Sequence, residues 1–182
     1  MSENAITVVE LSLDDASARS RADATREWLL STGVVAMNTK RDELWQPSEF
    51  RAGPSVLRAV DVWGPDDARG ANSGVDVVVG RELHHSMENF EPPACPGCAF
   101  ALELDDERHA ALIEGWLGGV EPVVTCRRCH RFAPLGDWTG EWMFAVGNLA
   151  VRFNNWPPLR EEFVEALKQQ LGPRCRLVLT HC

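Results

Sequence analysis

The sequence predicts an α+β fold: a mostly antiparallel sheet with helices on one face and a metal-binding insertion in the middle. Three observations carry that expectation. A β-α-β pattern opens the chain, a second one closes it, and between them stand two C-x-x-C pairs. A ferredoxin-like arrangement is the first topology this order suggests.

The elements follow in chain order. AITVVELSL (5–13) is an apolar, β-branched run suited to a first strand. Ser12 with Asp15, or Asp14 itself, can cap a helix over about 15–31, with Ala18, Ala22 and Leu29 on its inner stripe and Gly33 at its end. GVVAMNT reads as a second strand. Residues 40–74, broken by Pro47, Pro54 and Pro65, read as a long loop with one short strand or turn around Val56 to Val62. GVDVVVGREL (74–83) alternates as a strand should. EWMFAVGNLAVRF (141–153) is a strand bent at Gly147, or a hairpin turning at Gly147 and Asn148. Pro157 and Pro158 open a helix that Gly172 closes, with Leu159, Phe163, Leu167 and Leu171 on one face, and RCRLVLTHC (174–182) ends the chain as a strand. The expected organisation is residues 1–93 and 134–182 as two parts of one α+β domain, and 94–133 as the insertion.

Composition narrows the setting. The 182 residues, 45% of them hydrophobic, suffice for one good core. The start of the chain lacks a signal-peptide pattern, and no apolar stretch approaches the roughly 20 residues that span a bilayer, so the expected location is the cytoplasm, with no membrane contact. There, six cysteines argue for metal or redox chemistry over structural disulfides. The net charge of -9, from 27 acidic against 18 basic residues, argues against nucleic acid as the partner and favours a protein with a basic surface. A homodimer remains open.

Cys95, Cys98, Cys126 and Cys129 form C-x2-C-x27-C-x2-C. Two such turns present four sulfurs to one ion, the tetrahedral arrangement of a structural Zn2+ site, with iron as the alternative a sulfur tetrahedron accepts. The spacer contains an amphipathic helix, DDERHAALIEGWL (105–117), with Leu112, Ile113, Trp116 and Leu117 on one side. CRRCH (126–130) also matches a haem-attachment pattern and CPGC a dithiol redox pair, but each explains only one of the two pairs. Four cysteines close the shell, so His109 and His130 are bystanders and catalytic zinc is disfavoured.

ACPGCAF and TCRRCHRF resemble the knuckles of zinc-ribbon and rubredoxin-like modules, over residues 94–133 only. Such knuckles often carry glycine after the second cysteine, where this chain has Ala99 and His130. The resemblance implies a rigid, metal-stapled module used in protein or nucleic-acid contact, not catalysis. Arg127, Arg128 and Arg131 are placed to offset the thiolate charge and are the basic residues a nucleic-acid partner would use.

His84 and His85 follow a strand on opposite faces and read as surface or packing residues. Cys175 and Cys182 are also placed on opposite faces of the last strand. Trp45, Trp63 and Trp156 lie in proline-containing segments, where tryptophans serve as anchors at binding surfaces, although core packing is the competing reading. No catalytic motif is present. The functional expectation is a non-enzymatic, zinc-stabilised adaptor, immunity or assembly protein. The alternatives are a nucleic-acid-binding zinc ribbon and an enzyme with its site in the cleft beneath loop 40–74.

Overall fold

In the computed structural model, which describes residues 4–43, 45–64 and 72–181, eight strands and three α-helices are set out. The strands are β1 (Asn4–Glu10), β2 (Val35–Met37), β3 (Phe50–Ala52), β4 (Gly74–His85), β5 (Val123–Thr125), β6 (Phe132–Pro134), β7 (Phe144–Asn154) and β8 (Cys175–His181). The helices are α1 (Asp15–Thr32), α2 (Asp106–Leu117) and α3 (Glu161–Leu171). Six strands form one curled, antiparallel sheet in the order β2-β3-β4-β7-β1-β8, and β5 pairs with β6 separately. No helix among the described residues is long and apolar enough to cross a membrane.

The helix ends follow local chemistry. The Asp14 side chain accepts from Ser17 N at α1, and Gly33 ends that helix at φ 71°. Asp105 caps α2 in the same way by accepting from Arg108 N. Glu161 and Glu162 stand in the first turn of α3, where the helix dipole favours negative charge. The two prolines before α3 lie outside it, and Leu159 forms an isolated bridge with Val60 instead.

Alternation in the strands divides the core in two. Val8, Val77, Leu149, Val151 and Phe153 face Ala18, Ala22 and Leu29 of α1 and Phe163, Leu167 and Leu171 of α3. Val9, Ala150 and Val178 face the other way, into a second cluster with Trp116, Leu135, Trp138 and the cysteine-bearing segment. The helix-covered face thus belongs to α1 and α3, while α2 lies on the opposite side.

Residues 40–74 contain the expected turn, a 3-10 turn at Val56–Arg58, and also β3, too short for its alternation to register in the sequence. Residues 144–154 form one continuous strand with no hairpin at Gly147. The irregularity falls on β4, between Val79 and Glu82. Cys182 lies outside the described residues, and Cys175 bonds only weakly, to the carbonyls of Lys168 and Gly172.

Gly147 is fixed by close approach, since a Cβ there would meet the Glu10 carbonyl oxygen at 2.3 Å and Val9 Cγ1 at 2.6 Å. The obstruction includes backbone of the paired strand, which cannot rotate away. Gly147→Ala should therefore cost about 2–3 kcal/mol of folding stability, read as a lowered denaturant midpoint.

Candidate functional site

Both C-x-x-C pairs close turns of the same construction. In the first, Ala99 N donates to Cys95 O and Cys95 N to Phe100 O, each at 2.9 Å. In the second, His130 N donates to Cys126 O at 2.9 Å and Cys126 N to Arg131 O at 2.8 Å. Ala99 and His130 sit at φ 57° and 58°, the left-handed region glycine enters freely. The turn imposes that conformation on two other residues, at about 1 kcal/mol each.

The two turns face each other. Cys95 Sγ lies 3.7 Å from Cys129 Sγ and Cys98 Sγ 3.6 Å from Cys126 Sγ, and all four sulfurs fall within 4.8 Å of one another. A tetrahedron with metal–sulfur bonds of about 2.3 Å has edges of about 3.8 Å, so the cluster has the dimensions of a four-sulfur metal site. Cys95 and Cys126 are buried and Cys129 is exposed, which leaves the site near the surface.

Charge favours metal loading. The backbone amide of Cys129 pulls the Cys126 thiol down to about 6 against the effect of burial, with help from the Arg128 amide and the neighbouring cysteines. Around Cys98, the Phe100 amide favours the thiolate, but burial and the other three sulfurs outweigh it and push the thiol up to about 12. Four sulfurs this close cannot all ionise without a cation, and a divalent ion resolves the conflict.

Polar contacts fix the cysteine-bearing segment to the sheet. Arg81 of β4 donates to the Trp116 carbonyl from Nε at 2.9 Å, a cation at the C-terminal end of α2. Arg174, before β8, is held between Glu121 and Asp137, with Nη2 at 2.7 Å from an oxygen of each. Arg176 donates to the Gly136 carbonyl, and Glu121 accepts from Gly136 N at 2.7 Å.

The other residues expected at a site are dispersed. Arg127 pairs with Glu103, Arg131 lies across Gly97 of the opposite knuckle, and Arg128 is exposed. Trp156 is buried, 5% accessible, and packs edge-on against Phe153, with Trp63 partly buried beside it at 4.8 Å between ring centroids. That packing gives Trp156 a core role and withdraws its ring from any surface contact. Trp45 is 49% exposed. His109 and His85 approach at 3.4 Å between Nε2 atoms, among Phe90 and Phe144 and away from the sulfurs.

A second feature lies beneath loop 40–74, where the sequence alternatives placed a cleft, although no motif marked its residues. Beyond the cysteine-bearing segment, the same sheet face turns polar and floors a cleft of about 410 Å³, walled by Pro47 and Ser48 from the long loop. Asp76, Arg152 and Thr7 stand side by side on β4, β7 and β1. His84 is buried beside Arg152, its Nδ1 at 3.2 Å from Nη2. Burial first, and then the Arg152 charge, lower the His84 pKa from 6.5 to about 4. The available sequence signal was the run of polar residues at alternate positions, Asp76, Arg152 and Asn154, in strands otherwise apolar.

Comparison with family models, with curated proteins and with solved structures gives no match, so geometry alone carries the functional reading.

Two predictions follow from this chemistry. Purified protein should hold close to one metal ion per chain, and Cys126→Ser should lower both metal content and the thermal midpoint, the latter by about 5–10 °C; a metal-free wild type of equal stability contradicts the site. The second concerns pH. Unfolded His84 takes up a proton as pH falls through 6.5, whereas folded His84 resists until about 4, so its contribution to stability is complete above that window and lost within it. Between pH 7 and pH 5, His84→Gln should lose about 2 kcal/mol less stability than wild type in parallel urea titrations.

Proposed function

We propose that this protein is a non-enzymatic binding protein in which a zinc-stapled, ribbon-like module, inserted into a ferredoxin-like α+β unit, docks another protein. The observation that carries this reading is the outer face of the β5–β6 pair. Val123 stands opposite Pro134 and Thr125 opposite Phe132, with Val124 turned inward and buried. Val123 is 63% accessible, Phe132 74%, and Val120, just before β5, 72%. Large apolar side chains gathered on a metal-stiffened surface suit protein contact, because little conformational freedom remains to be lost on binding.

Zinc is the ion this reading assigns. Four thiolates close its tetrahedral shell and leave no position for water, which gives the metal a structural role; iron is the alternative that elemental analysis separates. The strand order β4-β7-β1-β8, joined by α1 between β1 and β4 and by α3 between β7 and β8, supports the ferredoxin-like description. In that description β2–β3 interrupts the first crossover, and residues 94–133 occupy the β4-to-β7 connection. A reducing cytoplasm would keep the thiols available to metal.

The charge of -9 favours a partner with a basic surface over a second copy or nucleic acid, and Trp45 is a further exposed contact. Glu103 offsets the Arg127 charge that a phosphate would need. Affinity capture from cells that contain the protein, run with wild type and a Val123→Ser/Phe132→Ser variant, tests the reading. The wild type should retain a partner in a salt-sensitive manner, and the variant should retain it at least about tenfold more weakly. Equal retention removes the apolar face from the proposal, while concentration-dependent sedimentation of the protein alone would identify a second copy as the partner.

A further inference from the structure

We propose that the cleft over the polar end of the sheet binds a neutral, multiply hydroxylated small molecule of the size of a monosaccharide or nucleoside. This inference is independent of the protein-docking surface, which lies on the cysteine-bearing segment.

The sheet itself supplies the first argument. Antiparallel partners point to the same face, so the rung Val78–Ala150–Val9 and the rung Asp76–Arg152–Thr7 form one continuous surface. The first rung is apolar and faces the cysteine-bearing segment. The next carries a carboxylate, a guanidinium and a hydroxyl, and the rung after it adds Asn154 and Thr180 around the small Ala5. Placing such groups on a floor where neighbours two residues away are apolar costs stability unless something satisfies them.

Groups lining the cleft with unused hydrogen-bonding capacity supply the second argument. Arg152 can only donate, so His84 Nδ1 accepts from it and the imidazole proton resides on Nε2. His84 as a whole is 4% accessible, and its Nε2, which no group among the described residues engages, is not fully enclosed and stays free to donate. Ser48, also buried, accepts from Asn154 Nδ2 at 3.1 Å and keeps its own proton to donate. Arg152 directs Nη2 toward His84 and Glu82, and among the described residues its Nε and Nη1 are unpaired. Asp76 accepts from Glu49 N at 2.7 Å and Asn154 Nδ2 at 2.8 Å, which fixes its carboxylate and leaves lone pairs for a ligand.

Charge selects the ligand class. Of the side chains lining the cleft, Asp76 and its cross-strand partner Arg152 carry opposite charges and balance one for one, while Glu82, 3.6 Å from Arg152, stands outside the lining. An anion would meet the Asp76 carboxylate, and a cation would meet Arg152. A neutral molecule avoids both penalties. Donors (Arg152, His84 Nε2 and Ser48) and an acceptor (Asp76) line the same space, and hydroxyl groups match both because each donates and accepts. Leu83, Met87 and Pro47 add carbon surface for the apolar face of a ring, and the volume of about 410 Å³ suits a small ligand.

Heteronuclear NMR of the metal-replete full chain, observing the His84 ring and the Asn154 side-chain amide, tests the proposal by titration with glucose, ribose, adenosine and inorganic phosphate. At least one of the three hydroxylated probes should give saturable shifts at both reporters, and phosphate should not. Ala5→Leu, which fills the floor and leaves every polar group in place, should abolish the response. Arg152→Lys, which keeps the charge but removes the planar donor edge, should weaken binding at least about tenfold even if Ala5→Leu fails to fold. A response to phosphate alone, silence with all three hydroxylated probes, or binding that survives both substitutions overturns the assignment.

Discussion

The central constraint on this fold is that β7 is buried on both faces. From Phe144 to Val151 every residue is buried, and the strand lies between β4 and β1 in the middle of the sheet. A strand of that composition needs cover on both sides. The pair α1 and α3 supplies one cover, with a cluster running from Ala18 to Leu171. The segment between β4 and β7 supplies the other, yet its described secondary structure is one helix, two three-residue strands and a 3-10 turn. So little regular structure gains from a cross-link, and four sulfurs brought to one point are placed to supply it through a bound metal ion.

A metal ion held by the four cysteines would act through Trp116 and Trp138. Both are buried in the cluster that joins the knuckles to Val9, Ala150 and Val178. The knuckles fix the two ends of the segment, α2 presents Trp116 between them, and Arg81 fixes the end of that helix to β4. Arg174, gripped by Glu121 and Asp137, does the same from the β8 side. Removing the ion would loosen the cover over half of the sheet. Metal binding at the thiols would thus bear on the stability of the entire domain while leaving the polar cleft apart.

Much of this was legible in sequence because it depends on local rules. Asp14, Gly33 and Asp105 mark helix ends through side-chain capping and left-handed geometry, and C-x-x-C spacing marks the knuckles through the size of one turn. The strand order was less accessible, since pairings such as Ala5 with Asn154 depend on contacts between distant parts of the chain. β3 was missed because three residues carry no readable period. Trp156 was ambiguous for a different reason: its proline neighbours suggest exposure, whereas Phe153 and Trp63 enclose it. A cleft beneath loop 40–74 was among the sequence alternatives, but its members were not readable, because they come from β1, β4, β7, β8 and the loop before β3, and no two of them form a motif.

The polar rungs also distinguish a built cleft from an incidental hollow. Had the cysteine-bearing segment been meant to cover the whole face, Thr7, Asp76 and Arg152 would lie at positions where valine or alanine fits, as Val9, Val78 and Ala150 do one rung away. Had that end been ordinary solvent-facing surface, Thr7, Ser48 and His84 would not be buried. His84 is held neutral there by desolvation and by Arg152, an arrangement that lowers stability in acid. A sheet that carries this burden beside an apolar cover has separated two tasks on one face: the valines and alanine seat the stapled segment, and the polar rungs hold hydrogen-bonding groups ready for a guest.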